Sequence, residues 1–234
     1  MFWDSFTYDH KGPCHIWEDE TKTEKVYAIK EFKCLNNLKE DEDRAAWELK
    51  QQLKREAYYG VHGKRIGGKP AEWRHNKANG AYVREKGHGG IDWWRYQQTI
   101  LIPLLIPFAV ECIVERPGTL IQEDKAASHA SQYQHKVFNL YKVIRLLWPG
   151  NSPDLNAIEL TWNWMKRKIT EKGCPTGKKQ MKAEWINYWD EMPQSKIQDW
   201  VERIYKHVQE VILLEGGNEY KEGRCKGQLK KSVH

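Results

Sequence analysis

Pro149-Gly150-Asn151-Ser152-Pro153 is a run that can continue neither a helix nor a strand. With Pro117-Gly118 it cuts the middle of the chain into short pieces of defined kind. Residues 119–123 read as a short buried strand ending at Asp124, 126–139 as a helix, and 143–148 as a second strand. Asn156 opens another helix with an apolar stripe of Ile158, Trp162, Met165 and Ile169. Strand–helix–strand–helix order predicts an α/β domain built on a sheet.

The flanks read differently. Aromatic residues from Met1 to Tyr8, turn chemistry at Asp9-His10-Lys11-Gly12 and a second apolar run from Cys14 to Trp17 predict a β-hairpin. Residues 19–59 are dense in Glu and Lys with apolar residues at helical intervals, which predicts long amphipathic helices. Residues 61–90 hold seven Lys/Arg, two Glu and seven Gly, a basic loop suited either to a polyphosphate partner or to a solvated linker. Residues 91–115 are mostly helical, and two terminal helices follow 173–177, the last carrying Ile197, Trp200, Val201, Ile204, Val208 and Val211 before Gly216-Gly217.

Composition narrows the class. At 234 residues the chain can bury a sizeable core without a disulfide or structural metal. Charged residues make up 30% and the mean hydropathy is −0.82, which argues for a soluble protein. The longest apolar run, 100–110, is interrupted by Pro103 and Pro107 and is too short for a membrane span. Five scattered cysteines without a C-x-x-C read as reduced intracellular thiols.

Two carboxylates stand where chemistry is often done. Asp124 ends a strand, a place where ligands and metals gather in open α/β sheets, although an Asp there also suits a turn or a cap. Glu159 falls three residues after Asn156, the spacing of a capping box, and its helical face continues through the polar and basic residues Asn163, Lys166 and Arg167. Thirty-four residues separate the pair.

Three stretches, Gln122 to His129, Trp148 to Glu159 and Trp162 to Lys168, resemble the Tc/mariner superfamily of cut-and-paste DNA transposases, in a fungal-type branch. The hairpin 1–17 is similar to the strand pair that family places before a long helix. The resemblance implies an RNase H-like mixed sheet flanked by helices, formed by 1–18 with 98–172, a charged helical insertion over 19–97, and a C-terminal helical extension over 173–234. It implies that Asp124 and Glu159 are the second and third of three catalytic carboxylates holding two Mg²⁺ or Mn²⁺ ions. Such ions activate a nucleophile and stabilise the leaving oxygen at a scissile phosphate. His129 would orient a metal-bound group or touch phosphate, or merely cap its helix. Lys166, Arg167 and Lys168 would face double-stranded DNA, with Lys64, Arg65 and Lys69 of the basic loop as weaker candidates. Trp148 and Trp162 read as core.

The same resemblance places the family's first catalytic Asp, and the central strand bearing it, upstream of Trp3. Met1 therefore reads as the start of a shortened gene model or a decayed copy. The expected consequences are a gapped sheet with two unpaired inner edges, an aggregation-prone chain, and an activity lost for want of one carboxylate. Asp4, where the family has a small residue, and Asp9 are poorly placed to replace it. The implied setting is nuclear, with DNA and a possible second copy of the chain as partners, and neither a membrane nor a small-molecule substrate. The competing expectation is a non-catalytic transposon relic that binds DNA or another subunit.

Overall fold

The computed structural model describes residues 1–74, 81–84, 90–148, 152–171 and 173–213. The Pro149–Asn151 part of the central turn and the Gly216-Gly217 stop lie outside them. The chain divides into two compact units, Met1–Glu18 with Gly89–His234, and Asp19–His88.

In the first unit β1 (Phe2–Phe6) pairs antiparallel with β2 (Lys11–Ile16) in the expected hairpin. The register shifts between Asp4 and Phe6, where two residues of β1 face three of β2 across Gly12-Pro13. Gly12 has no room for a side chain: a Cβ there would lie 2.5 Å from the Phe108 ring and 2.5 Å from Ser5 Oγ. Alternation along β1 splits its contacts. Trp3 joins a core of Tyr96, Ile100, Leu101, Leu105, Ile106 and Phe138, while Phe2 and Phe6 pack with Met165, Trp189, Met192 and Ile197. The hairpin is therefore sandwiched between two layers of helix.

One layer is a continuous helical run: α2 (Trp93–Tyr96), a π-helical segment Gln97–Leu105, and α3 (Ile106–Glu115). Asp92 caps its start, accepting from Arg95 N–H at 2.9 Å. Pro103 lacks the donor an α-helix needs, and the chain passes it in the wider π winding. By length and composition Trp93–Glu115 is long and apolar enough to cross a membrane; Tyr96, Ile100, Leu101, Leu105 and Ile106 are instead buried in the protein core. The other layer is α6 (Ala157–Glu171), α7 (Lys178–Glu191) and α8 (Gln194–Leu213).

The expected mixed sheet is not what these residues form. Segments 119–123 and 143–148, expected as strands, meet in one parallel bridge between Ile121 and Arg145. Ile121 donates to Ile144 C=O at 3.0 Å and accepts from Leu146 N–H at 2.7 Å. The ladder ends there because polar Gln122-Glu123-Asp124 turns away at once, and no strand supports the other edge of 119–122 among the described residues. The described residues are mostly helical, with a two-stranded sheet. The helix expected over 126–139 is likewise broken. Ser131 takes extended backbone between α4 (Ala127–Ala130) and α5 (Gln132–Leu140) and caps the second, accepting from Tyr133 N–H.

The second unit is built on α1 (Lys22–His62), a single 41-residue helix where two or more were expected. Thr21 and Glu24 form a reciprocal capping box, and Gly63 closes the far end in the left-handed conformation (φ 62°). Only Ala28 and Phe32 are buried along it. Lys39–Asp43 and Arg44–Glu48 pairs one turn apart support the rest. The returning segment is tied by Asn36, which brackets the Tyr82 backbone at 2.7 and 3.1 Å, and by Trp47 against Trp73.

Candidate functional site around Asp124

Asp124 stands at the end of a cavity of about 340 Å³ within the first unit. Residues 3–8 of the β1 side and 119–124 form its two flanks. Leu105, Phe108 and Ala109 close one face, and α6 and α8 the other. Asp4, Glu123, Asp124 and His129 are its ionisable lining.

The local fold around Asp124 follows from short-range hydrogen bonds. Its Oδ1 accepts from Ala126 N–H at 3.0 Å, an Asx-type turn that launches α4. The same oxygen lies 2.6 Å from His129 Nδ1. His129 is fixed from outside its short helix. Arg145 Nη1 donates to its carbonyl at 3.1 Å, the Tyr96 ring lies 4.4 Å from the imidazole between centroids, and Gln134 ties Ser128 C=O to Trp93 C=O. Glu123, one residue before Asp124, points elsewhere. Tyr96 OH donates to its Oε1, Arg145 Nη1 lies 3.6 Å from its Oε2, and the Arg145 guanidinium covers the Phe138 ring at 4.6 Å.

These contacts set the protonation states. The bond from His129 holds the Asp124 carboxyl below its ordinary 3.8, against a smaller opposing effect of burial. Burial alone would push the His129 imidazole down, but the Asp124 bond and the charges of Glu123 and Asp124 outweigh it, and the net shift is upward from 6.5. His129 thus stabilises the fold fully below its unfolded pKa, and the contribution is lost as pH rises through the higher folded value. Asp124 contributes above 3.8 and loses its contribution in acid, so the pair supports the fold best between about pH 4 and 6.5. In Asp124→Asn, NMR titration should show the His129 pKa falling by about one unit or more, since burial then dominates. An unchanged titration would show that Asp124 does not set it.

Glu159 sits in the first turn of α6, partly buried, and is not among the residues that line the cavity with Asp124. Of the expected capping box, the Asn156 half is present: its Oδ1 accepts from Ile158 N–H at 3.4 Å. Among the described residues no three His, Cys, Asp or Glu side chains converge as metal ligands. With one Asp124 oxygen bound to His129 and Glu159 off the cavity, the donor set does not fit a two-ion centre.

The basic candidates fall in both units. Lys166 and Arg167 are exposed on α6, while Lys168 pairs with Glu171 at 2.8 Å. In the second unit Lys64 and Arg65 are exposed and Lys69 pairs with Glu72 at 3.2 Å. Trp162 packs in the core as expected, and its Nε1 donates to Asp4 at 2.9 Å. Asp4 is the residue whose importance the sequence concealed. It is 1% exposed and its carboxyl is pushed up to about 7, chiefly by burial. The available signal was its place between Phe2 and Phe6 on the apolar side of β1.

No family profile matches the chain. Over 97 residues, 41% of this chain, it is 31% identical to the transposable element Tc3 transposase of Caenorhabditis elegans, covering 29% of that protein. Over 100 residues it is 30% identical to the Tc1 transposase of the same organism, covering 36% of it. The Tcb1 transposase of Caenorhabditis briggsae gives 30% over 98 residues and 35% of its length. The chain thus spans about a third of the length of the curated relatives it matches.

Proposed function

From its distant homology to the Tc1/mariner transposases, we propose that this transposase-related chain engages double-stranded DNA through its basic residues and does not, by itself, assemble a metal centre that cuts it. The single observation behind the second half is that Asp124 and Glu159 do not line one cavity. Two divalent ions need several anionic oxygens at one point. The DNA half rests on the homology and on exposed Lys166 and Arg167, one and two turns beyond Glu159 on α6. Helices on both faces of the hairpin and the parallel Ile121–Arg145 bridge support an incomplete RNase H-like fold as its architecture. A nuclear location follows from the DNA reading.

A second reading, metal-dependent DNA strand cleavage and transfer in which Asp124 and Glu159 would hold Mg²⁺ or Mn²⁺, has the 34-residue spacing of the pair in its favour. A plasmid-nicking assay in either metal separates the two. The expected result is equal background nicking by the chain, Asp124→Ala and Glu159→Ala. Metal-dependent nicking that disappears in Asp124→Ala establishes the catalytic reading. For binding, fluorescence anisotropy on a duplex should show affinity falling steeply with salt. The Lys166→Gln/Arg167→Gln variant should weaken binding to every sequence alike and lower the log–log salt slope by about 2. Affinity independent of salt would remove the DNA reading.

A further inference from the structure

The cavity beside Asp124 has an unusual border: both flanks are backbone, and both are strand edges. None of β2 lines it, so it lies along the side of β1 that faces away from β2. Trp17 N–H donates to Met1 C=O at 2.9 Å, which makes Met1/Trp17 and then Trp3/His15 the pairs bonded across the hairpin. By alternation the peptide groups of Asp4 point outward, toward the cavity. The Asp4 amide is turned to its own carboxylate, as befits a donor with no neighbouring strand. On the opposite flank Ile121 spends both of its backbone groups on the 144–146 segment. The backbone groups of Leu120 and Gln122 therefore face the other way, and neither makes a backbone hydrogen bond among the described residues. Above and below, the cavity is apolar, closed by Leu105, Phe108 and Ala109 on one side and by Ala157, Ile158 and Val201 on the other.

We infer that this cavity is a slot for one extended polypeptide strand, which would bond to Asp4 on one edge and to Leu120 and Gln122 on the other. Two opposed edges complement a strand as no small molecule does, since a strand offers donors and acceptors alternately to both sides. Apolar walls on both faces further require that its side chains be apolar at successive positions, as in a strand buried on both faces. The occupant is thus an apolar, β-branched segment about five residues long, continuing the β1–β2 ladder. This inference does not depend on the DNA reading, and the two can fail separately.

The probe is a synthetic nonapeptide of alternating valine and isoleucine with lysines at its ends. Amide hydrogen exchange is followed by NMR on the whole chain with and without it. The expected result is at least about tenfold slowing at Asp4, Leu120 and Gln122, with little change along α1. A peptide N-methylated at alternate residues should lose protection on one edge only. Gln122→Pro deletes a donor the free chain does not use, at a position already preceded by extended backbone, so it should leave the unbound fold intact and abolish slowing at Leu120. Three results would each overturn the inference. These are no binding at millimolar peptide, slowing confined to other regions, or slow exchange at Asp4, Leu120 and Gln122 before any peptide is added. Concentration-dependent protection without peptide would mean that copies of the chain pair with each other instead, which also overturns it.

Discussion

Asp4→Asn should stabilise the chain by roughly 2–4 kcal/mol at pH 8 and by little at pH 4. Asp4 is 1% exposed, and its carboxyl titrates at about 7 rather than 3.8. Burial is the main cause, opposed by bonds from Trp162, Thr161 and its own amide. A carboxyl whose pKa is raised by folding favours the fold when protonated. The penalty is therefore absent below 3.8, grows as pH rises, and levels off above about 7. Three units at about 1.4 kcal/mol each set the upper end of the expected gain. Asparagine keeps an acceptor for Trp162 Nε1 without the charge. Asp4→Ala removes that acceptor, and an indole N–H left buried and unpaired costs about 1–3 kcal/mol, so alanine should recover less. Urea unfolding at pH 4, 6 and 8 distinguishes the cases, and a wild-type stability that climbs from pH 5 to 8 would show that Asp4 is not the controlling group.

Arg145→Ala should cost about 3–5 kcal/mol, the range seen when one partner of a buried pair is removed. Glu123 is only 9% exposed, and its Oε2 has Arg145 at 3.6 Å as its charge partner and no hydrogen bond among the described residues. Arg145 also bonds the His129 carbonyl and covers Phe138, so its loss should loosen the short helix that presents His129 to Asp124. The double variant Arg145→Ala/Glu123→Gln should recover more than half of the loss, because the stranded charge goes with its partner. Equal instability of single and double variants, measured by thermal unfolding, would show that lost packing and not charge is responsible. Arg145→Lys should be intermediate, since an ammonium cannot bridge carboxylate and carbonyl while stacking on a ring.

What was legible in the sequence was mostly local. The hairpin, the helix after Asn156 and both terminal helices announce themselves through turn residues and apolar stripes, which act over a few residues. The mixed sheet was not legible in the same sense. Residues 119–123 have a strand's composition, yet a strand needs a neighbour, and pairing is a property of distant segments. The site divides the same way. Asp124 and His129 lie five residues apart and their contact follows from one turn of chain. The Glu123–Tyr96–Arg145 cluster joins residues 27 and 22 positions away, and the Asp4–Trp162 bond spans 158. No periodicity encodes such pairs. Glu159 was singled out by spacing alone, and spacing says nothing of whether two elements bring their side chains to one point.

Gly12 gives the cavity an unexpected dependence. It lies on β2, outside the lining, yet its missing side chain is what lets the Phe108 ring stand where it does, and Phe108 is part of one wall. Any larger residue would displace that ring from behind. A mutational survey scored on occupancy of the slot would therefore flag a position that no occupant touches. In copies of this gene drifting without selection, a single codon change there would reshape the recess as surely as damage within it.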